Sequence, residues 1–140
     1  MLGKAINELK VGDFAEFSKT VSETDIYLFA GIVGDFNPDH LNEAYAKTTF
    51  FKTRIAHGML AAGFVSSVIG MQLPGPGTVY ISQELKFLAP VHIGDTVTAH
   101  VEVSEIITEK NRVKLKTWCI NQDGVKILEG DAMASPPKKG

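Results

Sequence analysis

HGMLAAGFVSSVIGMQL, residues 57–73, is apolar or small at nearly every position. A surface helix carries one apolar stripe and one polar face, so a helix apolar nearly all the way round must be covered by protein on several sides. The run is shorter than the ~20 residues that span a bilayer, and it reads as the central helix of a core. PGPG, residues 74–77, then breaks the chain, and everything after it has strand character: TVYISQELKFLAPV, TVTAHVEVSEII, RVKLKTWCIN and VKILEGDAMA, separated by HIGD, TEKN and QDG. In TVTAHVEV, Val97, Ala99, Val101 and Val103 alternate with Thr98, His100, Glu102 and Ser104, which predicts one covered face and one wet face. Asp123-Gly124 is a strong hairpin signal that makes the last strands antiparallel neighbours. The expectation is an α+β fold, a curled antiparallel sheet wrapped around one central apolar helix. Residues 1–140 make a single domain, with SPPKKG, residues 135–140, a disordered polar tail. One small sheet cannot cover such a helix alone, so a second copy pairing alongside is expected.

Working back toward the N-terminus, AEFSKTV alternates like a short strand. Ser22, with Asp25 three residues on, then makes a capping-box-like start for the helix ETDIYLFAGIV. Gly34 ends that helix, and GDFNPDH, residues 34–40, follows as a loop. Asn37-Pro38 is a turn signal that biases Asn37 away from helical backbone, and a short helix through NEAYAKT comes next.

Composition narrows the classes of function. The 140 residues are 44% hydrophobic, enough for one core, and 14 basic against 16 acidic residues leave a formal charge of −2. No basic stripe is dense enough to hold a nucleic-acid backbone or an anionic membrane. The N-terminal MLGKAINELKVGDF lacks the apolar region of a signal peptide, so neither export nor membrane insertion is indicated. The single cysteine, Cys119, cannot form an internal disulfide and reads as a buried structural thiol, which fits a reducing cytoplasm.

Two short stretches carry chemistry. Asp35 and His40 sit five apart in the proline-bent loop, which can turn both side chains toward one point and let them share a water. A carboxylate and an imidazole on one water form an acid–base device. Taken alone, the pair reads more readily as an Asx turn at Asn37 beside an ordinary loop histidine. The second stretch is Ala56-His57-Gly58-Met59, at the start of the buried helix. A glycine there suggests that backbone must come close to something, a ligand or a packed sheet in equal measure. The first N–H groups of a helix lack internal partners, so Gly58 N–H could bind a carbonyl oxygen that gains negative charge. His57 reads as structural, its ring orienting the loop. A metal site using Asp35, Asp39, His40 and His57 is discounted, since no HExxH, no DxDxDG loop and no cysteine cluster is present.

Together, YLFAGIVGDFNPDHLNEAYA, then IAHGML, then FLAPVHIGDTV strongly resemble the MaoC-like dehydratases of the hot-dog fold, in particular the (R)-specific enoyl-CoA hydratases. The resemblance covers most of the chain. It implies that Asp35 and His40 are the catalytic pair that activates water and that Gly58 N–H polarises the thioester carbonyl. It also implies that Ser66 lies beside the active-site pocket, with Asn37 and His57 counted among the substrate-binding residues. A homodimer with its acyl pocket near the subunit interface follows from the same likeness. The sequence departs from the pattern at Asp39, where an aliphatic residue is usual, and at Asn42, where Asp is frequent. The implied reaction adds water across an enoyl thioester carried by CoA or acyl carrier protein, and it requires no metal or redox cofactor. A hot-dog thioesterase and a non-catalytic acyl-thioester-binding module are the alternatives. Lys52 and Arg54 are the candidate contacts for the phosphates of the carrier.

Overall fold

The computed structural model describes all 140 residues. Strand β1 (Phe14–Thr20) leads into α1 (Glu23–Val33), followed by the single turns α2 (Pro38–Leu41) and α3 (Glu43–Ala46). The long α4 (Gly58–Met71) precedes β2 (Val79–Gln83), β3 (Lys86–Phe87), β4 (Thr96–Ile107), β5 (Arg112–Ile120) and β6 (Lys126–Ser135). The strands form one antiparallel sheet in the order β1-β4-β5-β6-β2, with β3 also pairing β6. No helix is long and apolar enough to cross a membrane.

The sheet wraps α4 because β4 alternates as its sequence requires. Val97, Ala99, Val101 and Val103 are fully buried and join Val65, Val68 and Ile69 of α4 in one core cluster. Burying a Val or Ile side chain completely stabilises by roughly 1.5–3 kcal/mol, so this helix-to-sheet contact dominates the fold. Both ends of α1 are where the sequence puts them. The Ser22 side chain accepts from Asp25 N–H while Asp25 accepts from Ser22 N–H, and Gly34 terminates the helix at φ 79°.

Five expectations need correction. Residues 34–40 are not loop throughout: Asn37 caps Asp39 N–H, Pro38 takes the first helical position, and His40 therefore sits on α2. The first strand stretch is two strands, broken at Glu84 and Leu85. There Glu84 N–H reaches Asp131 O at 2.8 Å, and a Cβ on Gly130 would lie 1.7 Å from Glu84 O, so only glycine lets the kinked strand cross. Helix α4 is covered on one side only, with Met59, Gly63, Ser66 and Gly70 exposed. The C-terminal segment is packed at its start: Pro136 and Pro137 are buried, and Asn111 Nδ2 donates to Pro136 O at 2.9 Å. The polar face of β4 is not wholly wet either, because Phe14 and Trp118 close over His100.

Candidate active site

Helix α1, turn α2 and the N-terminus of α4 converge on one open groove of about 770 Å³. Gly34 turns the chain out of α1 and places Asp35, whose Oδ1 accepts Asn37 N–H at 3.1 Å. The Asx turn is therefore present, and it does not remove Asp35 from the neighbourhood of His40. One carboxylate oxygen of Asp35 and one ring nitrogen each of His40 and His57 lie within 4.8 Å of one another. Two hydrogen bonds of ordinary length meeting at one water span about 4.5 Å, a separation within that bound.

Hydrogen bonding fixes the tautomers. A carbonyl can only accept, so His40 Nδ1, 2.7 Å from Ile55 O, carries a proton, and in the neutral ring the lone pair is then on Nε2. His57 is 3% exposed and donates from Nε2 to Asp35 O at 2.9 Å, while its Nδ1 has no protein partner. Its ring stacks on that of His40, with centroids 3.9 Å apart and planes 29° apart. His57 thus ties the Asp35 backbone and the His40 ring to the start of α4. The same stacking argues against one ion bound by both rings, because in-plane lone pairs on stacked rings run side by side and do not converge.

At that start, neither Gly58 N–H nor Met59 N–H has a protein acceptor, and His57 provides no side-chain cap. Gly58 and Met59, at the positive end of a 14-residue helix, both line the groove that holds Asp35 and His40. The close approach inferred at Gly58 is real but has an owner: a Cβ there would lie 2.8 Å from the ring of Phe87.

Ser66 lines the groove two turns along α4, as do His57 and Gly58. Asn37 does not line it, its side chain being committed to the α2 cap. Arg54 is not free for phosphates either, since its guanidinium is engaged by Glu23, Tyr27 and Glu43. The sequence reading missed Phe29, Tyr80, Gln83, Leu85 and Phe87, all on the groove wall. Gln83, Leu85 and Phe87 recur at every second residue, which marks them as one strand face, but the break at Glu84 hides the strand they belong to. Burial pushes the Tyr80 phenol up to about 12, which leaves it protonated and donating to Gln83 Oε1.

A second, more apolar groove of about 470 Å³ meets the first at His40, Gly58, Met59 and Phe87. It runs past Phe50, Phe51 and Pro90.

A six-stranded antiparallel sheet curled against one long helix is a fold with known relatives. The MaoC-like domain model matches residues 10–122, and the chain belongs to that family. It is 55% identical to the (R)-specific enoyl-CoA hydratase of Rhodospirillum rubrum, covering 95% of this chain and 92% of that protein. It is 50% identical to the 3-hydroxybutyryl-CoA dehydratase of Methylorubrum extorquens, covering 94% and 83%. Among solved structures, an unliganded R-hydratase from Pseudomonas aeruginosa superposes with a TM-score of 0.92 at 44% identity, covering 98% of this chain and 88% of that one. The hot-dog fold expected from the sequence is thereby shared with R-hydratases.

Proposed function

We propose that this chain is a lyase that hydrates trans-2-enoyl-CoA to the (3R)-hydroxyacyl thioester and runs the reverse dehydration. The observation that carries the reading is one groove holding Asp35 and His40 with ligand atoms within 4.8 Å of each other, beside the unpartnered Gly58 N–H. The names of the relatives at 55% and 50% identity point the same way. In the forward direction, Gly58 N–H holds the thioester carbonyl oxygen, which makes Cβ electrophilic and takes up negative charge as the enolate forms. The water between Asp35 and His40 adds its oxygen to Cβ. Its proton passes to the pair, with His40 Nε2 positioned to accept, and Cα then takes a proton from the same pair. No step calls on a metal or a redox cofactor.

The substrate extends both ways from the thioester. Its acyl chain follows α4 past Ser66 toward Tyr80, and its pantetheine arm enters the second groove past Phe51. That direction is favoured because the first groove has no lysine or arginine on its wall, whereas Lys52 follows Phe51 on an exposed turn where the phosphates of CoA would emerge. A homodimer is proposed from the exposed side of α4 and the exposed apolar residues Ile32, Phe36 and Ile81. A reducing, cytoplasmic setting is proposed from the lone buried Cys119.

Crotonyl-CoA tests the reaction. Loss of the conjugated enoyl absorbance without release of thiol, giving the (3R) product, is the expected result. Thiol release would make the protein a thioesterase, and no change in either signal would leave a binding module or a different acyl substrate.

A further inference from the structure

Arg54 joins three segments that carry the site. Its Nη1 donates to Tyr27 Oη at 2.7 Å and its Nη2 to Glu23 Oε2 at 3.2 Å, both on α1. Its Nε lies 3.5 Å from Glu43 Oε1 on α3. Glu43 also accepts from the Arg54 backbone N–H at 3.1 Å and from the Thr53 hydroxyl at 2.9 Å. Those bonds, the Arg54 backbone N–H foremost, hold the Glu43 carboxyl below its ordinary range. The Arg54 side chain is only 15% exposed, and its guanidinium is already engaged by Glu23, Tyr27 and Glu43.

The next residue is Ile55, whose carbonyl oxygen receives His40 Nδ1–H, and whose N–H returns to Asp39 O at 3.2 Å. A shift of the 53–55 segment would therefore move the one acceptor that keeps the His40 proton on Nδ1 and its lone pair on Nε2.

We propose that Arg54 is a positioning residue. By bracing residues 53–55 against α1 and α3 it fixes the Ile55 carbonyl, and through it the tautomer and orientation of His40. The catalytic part of this inference rests on the proposed hydration, but the tautomer part does not. Rotating the carbonyl by a fraction of an ångström costs little fold stability, yet misplacing a catalytic group by about 1 Å can cost on the order of a hundredfold in rate.

The test combines kinetics with ring-nitrogen NMR on isotopically labelled protein. Arg54→Met, which keeps length and removes charge, should lower kcat on crotonyl-CoA by between about tenfold and about a hundredfold, with KM within about twofold. The NMR spectrum should change from a single Nδ1-protonated His40 to a tautomer mixture. Arg54→Lys should restore part of both. If Arg54→Met does not fold, Tyr27→Phe removes one bond from the brace and should produce a smaller shift toward the mixture. An unchanged His40 spectrum and kcat with lowered thermal stability would reduce Arg54 to packing. A raised KM for crotonyl-CoA but not for crotonyl-pantetheine would make it a phosphate contact instead. A wild-type protein that cleaves crotonyl-CoA to free thiol instead of hydrating it, and whose His40 tautomer still responds to Arg54→Met, would overturn the hydratase reading and uphold the brace.

Discussion

At the scale of single residues, the helix-start glycine is the most informative position. If its N–H polarises the thioester, Gly58→Pro removes the donor at a first-turn position where proline is tolerated, and kcat should fall by on the order of 10²–10³. Gly58→Ala would be the obvious control in isolation, but Phe87 spoils it, since the added methyl would press on the ring at 2.8 Å. Comparing proline with alanine at Gly58 in a Phe87→Ala background separates donor from crowding, and Phe87 is 52% exposed, so its truncation leaves the core alone. Activity lost equally in both would remove the backbone donor from the mechanism. The contrast shows what sequence carried at this scale. Asp35, His40 and Gly58 could be named as candidates because each is a chemically marked residue beside a turn or helix start, but the residues alone favoured or left open the blander readings and their roles came from the family resemblance. Phe87 and Arg54 were not, because their roles depend on contacts with Gly58 and with Glu23, thirty or so residues away in sequence, which no local pattern records.

At the scale of elements, α1 was readable to the residue, its reciprocal Ser22–Asp25 cap and its Gly34 stop both being local signals. Ser22→Ala should lower unfolding free energy by about 1 kcal/mol in a urea titration, with the midpoint moving and the slope unchanged. Turn α2 was missed because one helical turn is too short to show periodicity, although Asn37-Pro38 is its start signal. Strand β4 was read correctly in its alternation but not in the exposure of its polar face, since the cover over His100 comes from β1 and β5. Burial lowers the His100 pKa below its ordinary value, with Glu16 opposing in part. The neutral ring is therefore favoured in the folded state. As pH falls below about 6.5 the unfolded chain takes up a proton that the folded chain resists, so stability is present above that value and declines beneath it. The decline between pH 7 and pH 5.5 should be smaller in His100→Gln, and equal slopes in both proteins would contradict the assignment.

At the scale of the whole molecule, the apolar girth of α4 was readable, but what covers its outer side was not, because a single chain leaves that side open. The outer edge of β2 is likewise unpaired, with Val79 and Ile81 exposed. Such an edge invites pairing unless another chain covers it. Light scattering should give a dimer for the wild type and a shift toward monomer for Ile81→Lys, whereas a fully active wild-type monomer would count against the proposed assembly. Burial also pushes the Cys119 thiol up to about 12, so a disulfide reagent should leave the native protein unmodified and label it on unfolding. The central claim is that Asp35 and His40 act as one device on one water, and a double-mutant cycle in kcat/KM for crotonyl-CoA tests it most directly. Asp35→Asn keeps an oxygen for Asn37 N–H, and His40→Ala removes only a half-buried ring, so both variants should fold. Each should lose several orders of magnitude, and the double variant should be scarcely worse than either single one, because groups that act as a unit are lost together. Losses that multiply, or near-wild-type turnover in either folded single variant, would contradict it.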